Sequence, residues 1–154
     1  GVRAAMNPVA ALQNKVYSAR SFTYIPDPEG ADFAESLQLD RWETPAEVEA
    51  RGGADCDGLS VWACVRGWEA AREGQWYLVA GRVKQRQQWV GHAWVELIHE
   101  ELRLWADPTW GWLPKPPENH GFPLSRLAEV RWRYDGTTGL FTEPERFSRV
   151  EEAA

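Results

Sequence analysis

Cys56, His92 and Asp107 are the residues of this 154-residue chain whose types could together carry nucleophilic chemistry. They supply a thiol, an imidazole that can take its proton, and a carboxylate that can orient the imidazole. The thiol lies in Gly52-Gly53-Ala54-Asp55-Cys56-Asp57-Gly58-Leu59-Ser60, a glycine-loosened turn that leads into a helix running to about Glu73, with Gly74 as its stop. A cysteine at a helix start faces unpaired N–H groups and the positive end of the macrodipole, so its thiolate should form below the free-cysteine pKa of roughly 8.5. Its backbone N–H would also supply one oxyanion donor. The plainer reading of Cys56 is a small buried apolar residue, and Cys64 fits that description well. Val61, Cys64, Val65 and Trp68 repeat at helical spacing as a core face, whereas Cys56 shares its ridge with Ser60, Ala63 and Gly67, small enough to let another element approach.

Two strands must position the imidazole and the carboxylate. Residues 91–98 and 102–107 are rich in strand formers and read as an antiparallel hairpin turning at His99-Glu100. A turn centred there places His92 directly opposite Asp107, with Cβ atoms about 4.5–5.5 Å apart. No other acid adjoins Asp107, and Pro108 ends the strand. Of the other histidines, His99 falls in the expected turn as a solvated residue, and His120 lies in a proline-rich loop where it could contact a substrate. A second oxyanion donor could come from the Trp42 indole or the Gln38 amide. Trp110 and Trp112, just past Asp107, could wall a substrate groove or simply close the core.

The remaining elements follow from local signals. Asn7-Pro8 opens a helix over roughly 8–20, and Thr44-Pro45-Ala46-Glu47 is a capping box for a short helix over 45–51. The prolines of Pro26-Asp27-Pro28-Glu29-Gly30 mark a loop, and residues 31–40 fit no single element. Residues 76–83 read as a strand followed by a polar loop at 84–88. Residues 114–123 read as loop, 124–129 as a short helix, and 130–134 with 139–142 as a last hairpin around Asp135-Gly136. This pattern predicts one α+β domain, with residues 1–6 and 151–154 frayed.

Composition narrows the partners. Seventeen basic against 23 acidic residues give a net charge of −6, which argues against a nucleic-acid surface. No apolar run approaches the roughly 20 residues of a membrane span, and the N-terminus lacks a signal-peptide layout, so a cytoplasmic protein is expected. On one helix the two cysteines stand about 12 Å apart, too far for a disulfide or a shared zinc ion, so both thiols should be reduced and no cofactor is required. The ten tryptophans are spread along the chain rather than repeated, as core and rim packing or as an aromatic groove.

Three motifs in order resemble the transglutaminase-like superfamily of papain-type fold: Gly-Gly-Ala-Asp-Cys56-Asp, Gly91-His92-Ala93-Trp94-Val95-Glu96 and Trp105-Ala106-Asp107-Pro108-Thr109. Tyr24-Ile25-Pro26-Asp27 and Trp42-Glu43-Thr44-Pro45-Ala46-Glu47 are similar to the bacterial transglutaminase-like cysteine proteinases, and the likeness spans roughly residues 9–112. It implies a helix-borne Cys56 packed on an antiparallel sheet, a Cys56-His92-Asp107 triad, a thioester intermediate, and a peptide or protein substrate. Hydrolysis is the expected outcome. A protein-glutamine transglutaminase-type acyl transfer and a catalytically silent binding module are the alternatives. In that group the acids beside the cysteine can bind calcium. Here only Asp55 and Asp57 match, Ala54 and Gly58 depart from the pattern, and helix capping is the plainer use of both carboxylates, with calcium the lesser alternative.

Overall fold

A computed structural model of the chain describes residues 6–26, 43–121, 124, 128–137 and 145–146. In chain order the helices are α1 (Pro8–Ser18), α2 (Pro45–Arg51) and α3 (Cys56–Ala71). The strands are β1 (Thr23–Tyr24), β2 (Gly53–Ala54), β3 (Gln75–Gln85), β4 (Gln88–His99), β5 (Leu102–Asp107), β6 (Trp112–Lys115), β7 (Glu129–Asp135) and β8 (Glu145–Arg146). β1 and β2 form a short parallel pair, and the other six make a sheet in the order β6-β5-β4-β3-β7-β8 with antiparallel neighbours. The architecture is therefore α+β. No helix among the described residues is long and apolar enough to cross a membrane.

The helix caps are those the sequence predicts. Asn7 accepts hydrogen bonds from the Val9 and Ala10 amides, and Thr44 and Glu47 exchange the two bonds of a capping box before Pro45. Gly52 closes α2 at φ 76°, a conformation open to glycine because it has no Cβ. Two ends differ from expectation. Met6 is tied by its N–H to the Ala70 carbonyl rather than frayed, and α3 stops at Ala71, where Arg72 takes the left-handed cap at φ 55° two residues before Gly74.

The sheet is longer and turns elsewhere than the sequence suggests. Lys84 and Gln85, read as loop, extend β3, and the β3–β4 turn is Arg86-Gln87. The β4–β5 turn is Glu100-Glu101, with His99 paired to Leu102. All four turn residues have positive φ, as tight hairpin turns require. None is the glycine or asparagine that usually signals such a turn, so the sequence pattern misplaces both. Pro114 and Lys115, read as loop, belong with Trp112 and Leu113 to edge strand β6, where the proline is tolerated because an edge residue need not donate to a neighbouring strand. Glu129 begins β7 instead of ending a helix. Residues 125–127 and 139–142, parts of the expected short helix and last hairpin, lie outside the described residues, as do residues 31–40.

Alternation along the strands divides the sheet into two faces. Leu78, Ala80, Ala93, Val95, Leu97 and Ala106 join the buried clusters that hold α1 and α3. Val79, Val83, Trp94, Trp105 and Val130 face the other way and pack with Leu124 and Ala128. On that second face Glu96 is buried, accepting from the Arg103 Nε at 2.7 Å and the Trp105 indole at 2.9 Å, with Arg133 Nε 3.2 Å from its other oxygen.

The small ridge of α3 sets how closely the helix lies on the sheet. Ser60 donates to the Ala93 carbonyl, and Gly67 fits against the buried Trp76 ring. A Cβ at Gly67 would stand 2.4 Å from Trp76 Cζ3, and that ring has no room to move. Gly67→Ala should therefore destabilise the protein by about 1–3 kcal/mol, the usual cost of overpacking, outweighing alanine's better helix propensity. Urea denaturation checks this. Unchanged stability would show that α3 can lift off the sheet freely.

Candidate active site

His92 and Asp107 meet although their pairing register is not the one expected. Moving the hairpin turn one residue later shifts every cross-strand partner by two, so Val95 pairs with Ala106 and Asp107 lies diagonal to His92 rather than opposite it. A shift of two preserves the face. His92 Nε2 and Asp107 Oδ2 are 2.6 Å apart, with the His92 side chain 5% and the Asp107 side chain 0% exposed. The other carboxylate oxygen, Oδ1, accepts from the Thr109 and Trp110 amides at 2.9 and 3.2 Å, so the turn after Pro108 is built around the acid. With Nε2 committed to Asp107, Nδ1 is the ring nitrogen left to take a proton; this tautomer is assigned from the hydrogen-bond geometry.

Trp110 covers this pair. Its ring lies 3.9 Å from the imidazole, centroid to centroid, and 11° from parallel, while Trp94 stacks at 6.1 Å. Trp112 tilts against Trp110 and stacks on His120. Both Trp110 and Trp112 are half-buried and pack on the second face of the sheet, so packing is a demonstrated role for each. The stacking on His92 was not anticipated from sequence, although the Asp-Pro-Thr-Trp turn carries the signal. Opposite His92 in β3 stands Gly81, beside an irregularity in the β3–β7 ladder where a Cβ would strike the Glu129 carbonyl at 2.0 Å. Bulges of this kind often adjoin sites because they re-aim side chains.

Cys56 opens α3, with Asp55 as the N-cap accepting from the Gly58 amide at 3.0 Å. The thiol is buried in a cluster with Ala80 and Ala93, the neighbours of Gly81 and His92 along their strands. It therefore sits on the helix side of the sheet, and His92 on the other. β5 pairs with β4 only from Val95 onward, so among the described residues the β4 edge at Gly91-His92 carries no strand on that side. Neither cysteine forms a disulfide. Cys64 is fully buried, and loss of solvation pushes its thiol far above the usual range, aided by the nearby Asp135.

The other expected site residues divide. His99 ends β4 and is only 10% exposed, with Glu100 at 3.6 Å, so it is not a solvated turn residue. His120 is buried and donates from Nε2 to the Trp105 carbonyl, a structural bond between the loop and β5 rather than an open substrate contact. Trp42 and Gln38 lie outside the described residues. No group of three or more His, Cys, Asp or Glu side chains gathers as a metal site among the described residues. Asp55 and Asp57 alone do not supply the roughly six to eight oxygens calcium takes, and one oxygen of Asp55 is already used in capping.

Burial holds the His120 ring below its ordinary pKa, so the fold favours the neutral imidazole. As pH falls through about 6.5, the unfolded chain takes up a proton that the native site resists, and this contribution to stability is lost. His120→Gln should lower Tm at about pH 7.5, and the gap to the parent should narrow toward about pH 5.5. A gap that stays constant with pH would remove His120 from the acid response.

No family model matches the chain, and neither does any curated protein. Solved structures do. The chain superposes on calcium-bound LapG of Legionella pneumophila with a TM-score of 0.58 at 14% identity, covering 81% of this chain and 64% of that one, just under two thirds of its length. LapG without that description gives 0.56 at 15% identity over 83% and 65%, and the EGTA-treated form 0.57 at 15% over 88% and 72%. At these identities the likeness is one of fold: the chain shares the α+β fold of LapG.

Proposed function

We propose that the chain is a thiol acyl-transfer enzyme of the cysteine-protease type, cleaving a peptide or side-chain amide of a protein substrate. The observation that carries this reading is the buried His92–Asp107 bond, which fixes Nε2 as donor and leaves Nδ1 as base. LapG, the protein of like fold, is a cysteine protease. In this reading Nδ1 takes the Cys56 proton, and the thiolate meets the imidazolium around the β4 edge at Gly91, which pairs with no strand on that side among the described residues. The sulfur attacks the amide carbonyl, and the oxyanion is met by the Cys56 N–H at the start of α3. Collapse expels the amine, which takes the proton from the imidazolium, and leaves a thioester on Cys56. Water, deprotonated by His92, then adds to the thioester and releases the acid and the thiol.

Transamidation would follow the same path to the thioester and differ only in an amine replacing water. Trp42 or Gln38 as the second oxyanion donor, and Trp110 and Trp112 as groove walls, belong to this proposal. One of the matched structures is a calcium-bound form. Calcium at Asp55 and Asp57 of this chain would need further oxygen ligands, and no step above runs through it.

Iodoacetamide labelling of the native protein from about pH 5 to 9, read by mass spectrometry at each cysteine, tests the nucleophile. Cys56 should label fast below neutral pH and lose that advantage in His92→Ala, while Cys64 stays unlabelled until the protein unfolds. Ordinary thiol behaviour at Cys56 would leave a binding module on a protease-like fold.

A further inference from the structure

The β3–β4 hairpin carries the opposite charge to the rest of the molecule. From Gln75 to Val95 the sequence holds Arg82, Lys84 and Arg86 and no Asp or Glu, in a chain of net charge −6. Residues 84–89, the tip of the hairpin, are all exposed. Elsewhere several cations are matched, Arg51 with Glu43, Arg66 with Glu49 and Glu69, and Arg103 and Arg133 with Glu96, while Lys15, Arg20 and Arg72 lie over aromatic rings. Arg82 stands in register with Glu129. Lys84 and Arg86 form no ion pair with another described residue. Facing Lys84 across the hairpin is Trp89, 46% exposed, a large flat apolar side chain left in water beside a cation.

The position of this patch gives it meaning. Trp89 lies about 10 Å from His92 along β4, and alternation places it on the face of Ala93, the one that carries Cys56. An extended peptide with its scissile bond at Cys56 and His92 can therefore lay neighbouring residues along the hairpin. An acidic segment would be repelled over most of this negatively charged protein and attracted at this place. We propose that the hairpin tip is a substrate-docking surface, with Lys84 and Arg86 receiving carboxylates and Trp89 packing against the peptide, so that the enzyme selects substrates with an acidic segment beside the cleaved bond. This rests on the protease reading for what happens to the bound peptide, not for the binding itself.

The test therefore uses Cys56→Ala protein, which binds without turnover. Two dye-labelled twelve-residue peptides of Ala and Gly, one with three Glu and the other with three Lys, are titrated by fluorescence anisotropy. The Glu peptide should bind about tenfold tighter than the Lys peptide at low salt, and the preference should shrink as salt rises toward about 0.3 M. Lys84→Glu with Arg86→Glu should abolish or reverse the preference, with circular dichroism unchanged, and Trp89→Ala should weaken both peptides. Equal affinities, no binding of the Glu peptide by about 1 mM, or a preference that survives the double charge reversal would overturn the proposal. The two readings fail separately. A fast-labelling Cys56 without acidic preference removes only the docking surface, and acidic preference with an ordinary Cys56 removes only the protease.

Discussion

A histidine and an aspartate buried against each other depend on their mutual bond. Each has given up water, and a buried polar group without a partner costs about 1–3 kcal/mol, more when charged. The surroundings answer this demand on every side. β5 delivers Asp107 to the face that carries His92, the turn after Pro108 spends two backbone amides on the second carboxylate oxygen, and Trp110 lies flat on the imidazole. The irregularities beside the pair belong to the same solution. The β5–β6 ladder shifts between Trp105 and Asp107, and the β3–β7 ladder shifts at Gly81, across from His92.

The other half of the arrangement is set by what α3 lacks. Ser60, Ala63 and Gly67 are small, and the helix settles on β3 and β4 closely enough for a serine hydroxyl to reach a strand carbonyl. The same helix gives its two cysteines different surroundings. Cys64 faces the core near Gly136, whose Cβ would stand 2.2 Å from the sulfur, whereas Cys56 lies at the polar end beside a capping aspartate. Position along one helix separates a thiol sealed in the core from one at the helix start.

Much of this was legible in the residues. Capping signals located the starts of α1 and α2, the glycine-loosened turn that of α3, and runs of strand-forming residues found the three strands of the central meander. Both turns were misplaced, because Arg86-Gln87 and Glu100-Glu101 adopt left-handed backbone without glycine or asparagine. The sheet compensates for that strain with a long ladder on each side, which no local pattern reveals. His92 and Asp107 were still matched, since sliding a two-residue turn by one position moves partners by an even number and never exchanges faces. His99 and His120 were misjudged for different reasons: β4 runs on through His99, which pairs with Leu102, and His120 is held by the Trp105 carbonyl and the Trp112 ring. Pro114 argued against a strand that the sheet edge accommodates.

Glu96, between Arg103 and Arg133, carries a lesson about how this sequence can change. Three strands contribute to that cluster, and its members differ in exposure: the Arg103 side chain is 46% exposed, Arg133 18% and Glu96 1%. Arg103 can be replaced and leave Glu96 with Arg133 and the Trp105 indole, at a cost that solvent near Arg103 softens. Losing Glu96 first would leave the largely buried Arg133 without the carboxylate that matches it. Substitutions in the cluster are therefore ordered in time, arginine before glutamate. A lineage that has lost the glutamate should already have lost its cations.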